Sequence, residues 1–136
     1  MQKGFTLLEM LVALLIVAIL LGLAWTMYHK HIVKTHRTLM QSHMMTIAHA
    51  LQRHKTIHKT WQQVSLESLG YASYYPQDKA KYQVVLDIQG HGWILKAQPL
   101  AESSQSQDGI ICLNHQLQQY RQEKATECDL NEQSTW

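Results

Sequence analysis

Between Phe5 and Tyr28 the chain carries a single charge, Glu9, in an otherwise apolar run. A bare carboxylate in hydrocarbon is costly, so an ionisable residue there marks a functional site with an opposite charge as its partner. A new amino terminus at Phe5 would place an ammonium at the same end of the helix. A second constellation is imidazole: seven of the nine histidines lie between His29 and His58. His29, His36, His43, His54 and His58 project toward one side of a helix, and the i, i+4 pair His54 and His58 has a spacing that can chelate a metal. No third ligand and no His-Glu-x-x-His pattern accompanies them, so they read as amphipathic packing residues, with no metal and no cofactor expected. A third set is cationic. From His29 to Thr60 there are six Lys or Arg and no Asp or Glu. Phosphate contacts need such a cluster, which makes Lys30, Lys34, Arg37 and Arg53 candidate DNA contacts; the competing reading is a solvated face or one that meets lipid headgroups. Between Leu100 and Trp136 six acidic residues stand against two basic ones, so the basic face is also complementary to this acidic region on a neighbouring subunit. Nothing points to an enzyme: there is no Gly-rich phosphate loop, no Gly-x-Ser-x-Gly elbow, and no persuasive catalytic setting for either cysteine.

The elements that must position these groups follow from hydropathy and breakers. The run from Phe5 to Tyr28 is about 24 residues, roughly 36 Å of helix, enough to cross a bilayer. It is too long for a signal-peptide core, and Trp25, Met27 and Tyr28 read as an interfacial belt. Lys3 precedes the span while Lys30, Lys34 and Arg37 follow it, so the loop charges alone favour the reverse topology. No proline interrupts the chain from Phe5 to Tyr75, and the helix is expected to continue to about Thr60 as one rod. In its second half Ile32, Val33, Leu39, Met40, Met44, Ile47, Leu51 and Ile57 form an apolar stripe at 3.6-residue spacing. Ser65 to Leu69 reads as a helical turn ended by Gly70, and Tyr74 to Asp78 as loop. Tyr82–Ile88 and Trp93–Ala97 read as a hairpin about Gln89–Gly92, and Gly109–Leu113 as a third strand. The polar stretch Ala101 to Asp108 reads as a mobile loop. Apart from the N-terminal segment there is room for one domain of about 100 residues. The formal charge of +2 implies neither nucleic acid nor an acidic substrate by itself.

Gly4-Phe5-Thr6-Leu7-Leu8-Glu9, followed by a long apolar run, closely resembles the N-terminus of type IV prepilins and type II secretion pseudopilins. The resemblance implies a leader, residues 1–4, cut between Gly4 and Phe5, with N-methylation of Phe5. It implies that Glu9 neutralises the terminal amine of a neighbouring subunit. Residues 5–28 would be the transmembrane and assembly helix, 29–60 its amphipathic continuation, and 61–136 a sheet domain. The expected fold is α+β, a long N-terminal helix packed on a small antiparallel sheet of three to four strands. Pilins commonly carry a C-terminal disulfide loop, which Cys112 and Cys128 would form after export. Their separation suits no zinc knuckle and no second pair exists. The stretch from Tyr82 through Leu95 and Pro99 to Asp108 and Cys112 looks most like minor type IVa pilins. The lower helix lacks the proline usual in major pilins near Thr26, and the loop between the cysteines is short and holds no glycine. Expected partners are other major and minor pilins through the N-terminal helix, prepilin peptidase and the inner-membrane assembly platform. The expected location is the inner membrane, single-pass, with the C-terminal domain in the periplasm and then on a surface pilus. Two alternatives stand beside this minor-pilin reading: a type II secretion pseudopilin, a group that often binds calcium through clustered carboxylates, for which Asp108, Asp129 and Glu132 are on offer but dispersed and joined by no loop motif, and a DNA-binding minor pilin acting in uptake.

Overall fold

Thr6 and Glu9 close a reciprocal cap at the start of helix α1 (Leu7–His58). The Glu9 amide donates to Thr6 Oγ1 at 3.3 Å, and the Thr6 amide donates back to Glu9 Oε2 at 3.4 Å. Two amides that the helix leaves unpartnered are thereby satisfied. The computed structural model describes residues 4–122, 127 and 128. By internal contacts the chain forms two units, one ending at Lys34 and one beginning at Thr35.

In the first unit, α1 follows three non-helical residues, Gly4 to Thr6. Its large apolar side chains from Phe5 to Tyr28 stand exposed, Phe5 at 76% and Trp25 at 70%. Such a continuous apolar surface requires a cover of lipid or protein, and α1 is long and apolar enough to cross a bilayer.

In the second unit, the rest of α1 packs on a five-stranded antiparallel sheet in the order β1 (Tyr74–Tyr75), β2 (Tyr82–Gln89), β3 (Gly92–Pro99), β4 (Ile110–Asn114) and β5 (Gln119–Gln122). Met40, Met44, Ile47 and Leu51 are fully buried against Trp93, Leu95, Ile111 and Leu113. Each such side chain contributes about 1.5–3 kcal/mol by leaving water. Their i, i+4, i+7, i+11 spacing keeps them on one line of the helix. Leu39 and Ile57, also placed on the apolar stripe by sequence, are instead 48% and 66% exposed. Leu39 sits one residue off that line, and Ile57 lies six residues past Leu51, roughly 240° round the wheel.

The helix ends where Lys59 takes φ 61° and its amide donates to the Lys55 carbonyl at 2.8 Å, the simple left-handed cap. The expected helical turn is a 3-10 turn, Glu67–Leu69. Gly70 at φ 82° donates to Glu67 O at 2.9 Å, and Tyr71 donates to Leu66 O at 2.9 Å, a Schellman closure that favours glycine.

Strands β2, β3 and β4 stand where the β-branched and aromatic runs place them. Two further strands escape that reading. Tyr74–Tyr75 is a two-residue edge, and Gln119–Gln122 is mostly polar because its residues pair at the other margin of the sheet. The segment 101–108 is tied down, contrary to the mobile loop expected. Gln105 and Asp108 are buried, and the Ser103 hydroxyl donates to Leu100 O at 2.8 Å.

Cys112, buried on β4, is bonded to Cys128, with Cα atoms 6.0 Å apart and a sequence separation of 16. Together with Ile110 and Tyr120 they make a second apolar cluster. Closing a loop of that size contributes about 3 kcal/mol in the chain-entropy account. Cys128→Ser is therefore expected to lower unfolding stability by about 2–5 kcal/mol. Chemical denaturation of the full chain in detergent, oxidised against reduced, measures it, and equal midpoints would show that the bond does not constrain the domain.

Candidate functional site

The sequence offers three charged groupings, and the structure treats them differently. At the N-terminus, Glu9 is exposed and hydrogen-bonded to Thr6. The bond between Gly4 and Phe5 precedes the first helical residue, and both flanking residues are exposed. A peptidase needs an accessible, non-helical backbone, and this segment offers one. The Thr-x-x-Glu pattern was present in the sequence as a capping signature, so Glu9 has a local structural role that the reading of its charge alone overlooked.

The basic residues divide. Lys30 and Lys34 are exposed on the first unit's helix. Arg37 in the second unit is bound to a buried carboxylate: its Nε donates to Asp108 Oδ1 at 2.8 Å and Oδ2 at 3.0 Å, and its Nη2 also pairs with Oδ1. The Asp108 side chain is wholly buried. Its Oδ2 also accepts the Tyr82 hydroxyl proton at 2.7 Å, and Gln105 Oε1 lies 3.0 Å from that hydroxyl. Burial first, and then the carboxylate at its hydroxyl, push the Tyr82 phenol's pKa upward, so it remains a proton donor. Backbone connects the network further, because Arg121 Nε donates to Asp108 O at 3.1 Å. Helix α1, β2, β5 and the 101–108 segment thus meet at one residue, Asp108. Asp108, offered by sequence as a calcium ligand, serves as this internal anchor; Asp129 and Glu132 lie outside the described residues. Among the described residues no group of three or more His, Cys, Asp or Glu is placed to hold a metal ion.

Three exposed cations of the second unit lie at the C-terminal end of α1, while a fourth, Lys79, stands in the segment between β1 and β2. Arg53, Lys55 and Lys59 are all exposed there. Lys55 Nζ lies 3.7 Å over the centre of the Trp61 ring, a cation–π contact worth about 0.5–1 kcal/mol at an exposed site. Trp61 meets His115 edge-on at 5.9 Å, and the His115 backbone carbonyl accepts from Gln52 Nε2 at 3.0 Å. Gly92 permits this corner: a Cβ there would come within 2.5 Å of the His115 ring. These cations surround the last turns of α1 rather than sharing one face, and no Asp or Glu lies between His29 and Thr60. Sequence reading singled out Arg53 but passed over Lys55 and Lys59. Their signal was the i, i+4 spacing beside a tryptophan.

The histidines also divide. His43 stacks on Tyr75 at 4.2 Å and meets Tyr71 edge-on at 5.7 Å. Burial lowers its pKa, and burial followed by the nearby Lys81 charge lowers that of His36. These two are packing residues, as their amphipathic placement suggested. His54 and His58 lie ring to ring at 4.3 Å.

Comparison with known families matches residues 1–25 to the prokaryotic N-terminal methylation motif. Residues 26–116 match the family described as type IV minor pilin ComP, DNA uptake sequence receptor. Comparisons with curated proteins and with solved structures returned no match.

Proposed function

This chain belongs to the family described as type IV minor pilin ComP, DNA uptake sequence receptor, and from that premise we propose that it binds duplex DNA during uptake with the cationic end of α1. It is a minor type IV pilin, and its family is a structural one. The observation that carries the DNA reading is the span of the second match. Residues 26–116 take in the upper helix and most of the sheet, so the likeness lies in the domain able to meet a ligand and not only in the anchor.

In this reading the leader, residues 1–4, is removed between Gly4 and Phe5, and Phe5 is then methylated. Residues 5–28 hold the subunit in the inner membrane and later pack among other pilin helices, while 29–60 continue the helix. Residues 61–136 face the periplasm and then the outside on the pilus. Prepilin peptidase, the assembly platform and neighbouring pilins are its partners. The exposed apolar surface from Phe5 to Tyr28 and the accessible Gly4–Phe5 bond support this. The family match favours this over a secretion pseudopilin, and Asp108 is held in its internal ion pair rather than at a calcium site.

For DNA, Arg53, Lys55 and Lys59 are the proposed phosphate contacts. Arg37 is engaged by Asp108, and Lys30 and Lys34 follow the membrane segment closely enough for headgroup phosphates to be their nearer anions. Each phosphate neutralised contributes about −0.9 to the slope of log K against log salt. Replacing all three residues by alanine is expected to flatten that slope by about 3 and to weaken binding alike across sequences. Fluorescence anisotropy of a labelled duplex with the full chain in detergent, at several salt concentrations, reads both quantities. An unchanged slope in the triple variant would remove the α1 end from the interface.

A further inference from the structure

We propose that His54 and His58 form a two-imidazole chelate for a divalent transition-metal ion at the C-terminal end of α1. The inference stands apart from the DNA reading, since neither its geometry nor its test involves nucleic acid. The sequence-based expectation of no metal turned on a missing third ligand; an exchangeable ion with water in its remaining positions needs only two.

The two residues are one turn apart on the last turns of the helix, His54 partly exposed and His58 exposed. Their ring centres are 4.3 Å apart and their planes are tilted by 33°, so the two imidazoles are close neighbours at a solvent-accessible end of the helix. A second contact fixes the chemistry of one ring. His54 Nδ1 lies 3.3 Å from the Thr60 carbonyl oxygen. A carbonyl can only accept, so the proton sits on Nδ1 and the lone pair is left on Nε2. Ring nitrogen bonded to a backbone carbonyl, with the other nitrogen available, is the arrangement that orients metal-ligating histidines and raises their basicity. The backbone builds this contact through the left-handed turn at Lys59, which reverses the chain and brings Thr60 back beside His54.

The surroundings set the strength of the site. The helix C-terminus carries the negative end of the helix dipole and favours a cation. Lys55, which follows His54 in the chain, has its ammonium 3.7 Å over the Trp61 ring. Arg53 and Lys59 remain as positive neighbours, which lowers affinity and keeps the ion exchangeable. Two neutral imidazoles and no carboxylate select zinc, nickel or copper over calcium and magnesium, whose preferred ligands are oxygens.

Calorimetric titration of the full-length chain in detergent with Zn²⁺, and separately with Ca²⁺, tests this. Saturable Zn²⁺ binding is expected, weakened roughly tenfold or more by either His54→Ala or His58→Ala. His49→Ala, an exposed helical histidine outside the pair, is expected to leave it unchanged, and Ca²⁺ should not compete. Equal Zn²⁺ affinity in all four proteins would overturn the proposal, as would an equal loss in His49→Ala. A second measurement needs no variant. Saturating Zn²⁺ should protect His54 and His58 from diethyl pyrocarbonate, mapped by peptide mass, while His49 stays reactive; modification of the pair at an undiminished rate refutes the site.

Discussion

Arg37→Ala is expected to destabilise the sheet-bearing unit by about 3–5 kcal/mol, because it strands the wholly buried Asp108 carboxylate without its cation. For a domain of about 100 residues that lowers the melting temperature by more than ~10 °C. The cost lies in desolvation rather than in the lost attraction. Tyr82 still donates to Asp108 Oδ2, but one hydrogen bond from an uncharged hydroxyl does not replace a bidentate guanidinium. The double variant Arg37→Met, Asp108→Leu should therefore recover most of the stability, since a buried pair replaced by apolar groups of similar volume is often neutral or better. Tyr82 would keep Gln105 Oε1 within 3.0 Å as an acceptor. Thermal unfolding followed by far-UV circular dichroism measures both variants. If Arg37→Ala melts with the parent chain, the ion pair is no anchor. The same pair of variants separates two accounts of Arg37 in DNA uptake. A stabilised double variant that still takes up DNA would show that Arg37 acts through the fold and not by touching phosphate.

Arg37 and Asp108 are 71 positions apart, and nothing in their local patterns announces that they meet. A cationic helix face and an acidic later segment suggested complementarity between neighbouring subunits; the pair within one chain depended on how the 101–108 segment folds back. The same segment looked mobile because serine, glutamine and aspartate are turn formers. Its order comes from burying Gln105 and Asp108, which only tertiary structure reveals. The helix, by contrast, was legible almost to its last residue, because 3.6-residue periodicity over many turns leaves little room for another assignment. Its phase was less secure, and Leu39 and Ile57 were drawn into the stripe by hydrophobicity alone. The central strands were visible in their β-branched and aromatic runs. Strand β5 was not, since Gln119, Arg121 and Gln122 carry no apolar signal. The clue lay at Asn114, whose Oδ1 accepts from the Gln116 and Gln118 amides at 3.0 and 2.9 Å and shapes the turn into β5. The cysteines were recognised as a pair by family likeness, and the structure joins them.

Glu9→Ala is expected to leave leader cleavage largely intact and to abolish incorporation of the subunit into filaments. The structure adds a competing account that must be separated from this one, because Glu9 also completes the cap with Thr6. Losing a cap of this kind costs about 0.5–2 kcal/mol, enough to fray the first turn without touching any neighbour. Glu9→Gln distinguishes the two. Glutamine serves as well as glutamate at this position of a capping box, yet it cannot neutralise an ammonium. In the apolar interior of a helix bundle, the methylated amine of a neighbouring Phe5 left without a counter-charge is strongly disfavoured. Entry into the filament exchanges one apolar environment for another, so the hydrophobic effect gives little net drive and the charge pair with packing decides which subunits join. Glu9→Gln should therefore be processed normally and remain absent from sheared pili, as Glu9→Ala is. The measurement is the mass and abundance of the processed chain in pili and in membranes. Processed Glu9→Gln subunits found in pili at the parental level would assign Glu9 to helix capping alone, and the partner sought for its charge would not exist.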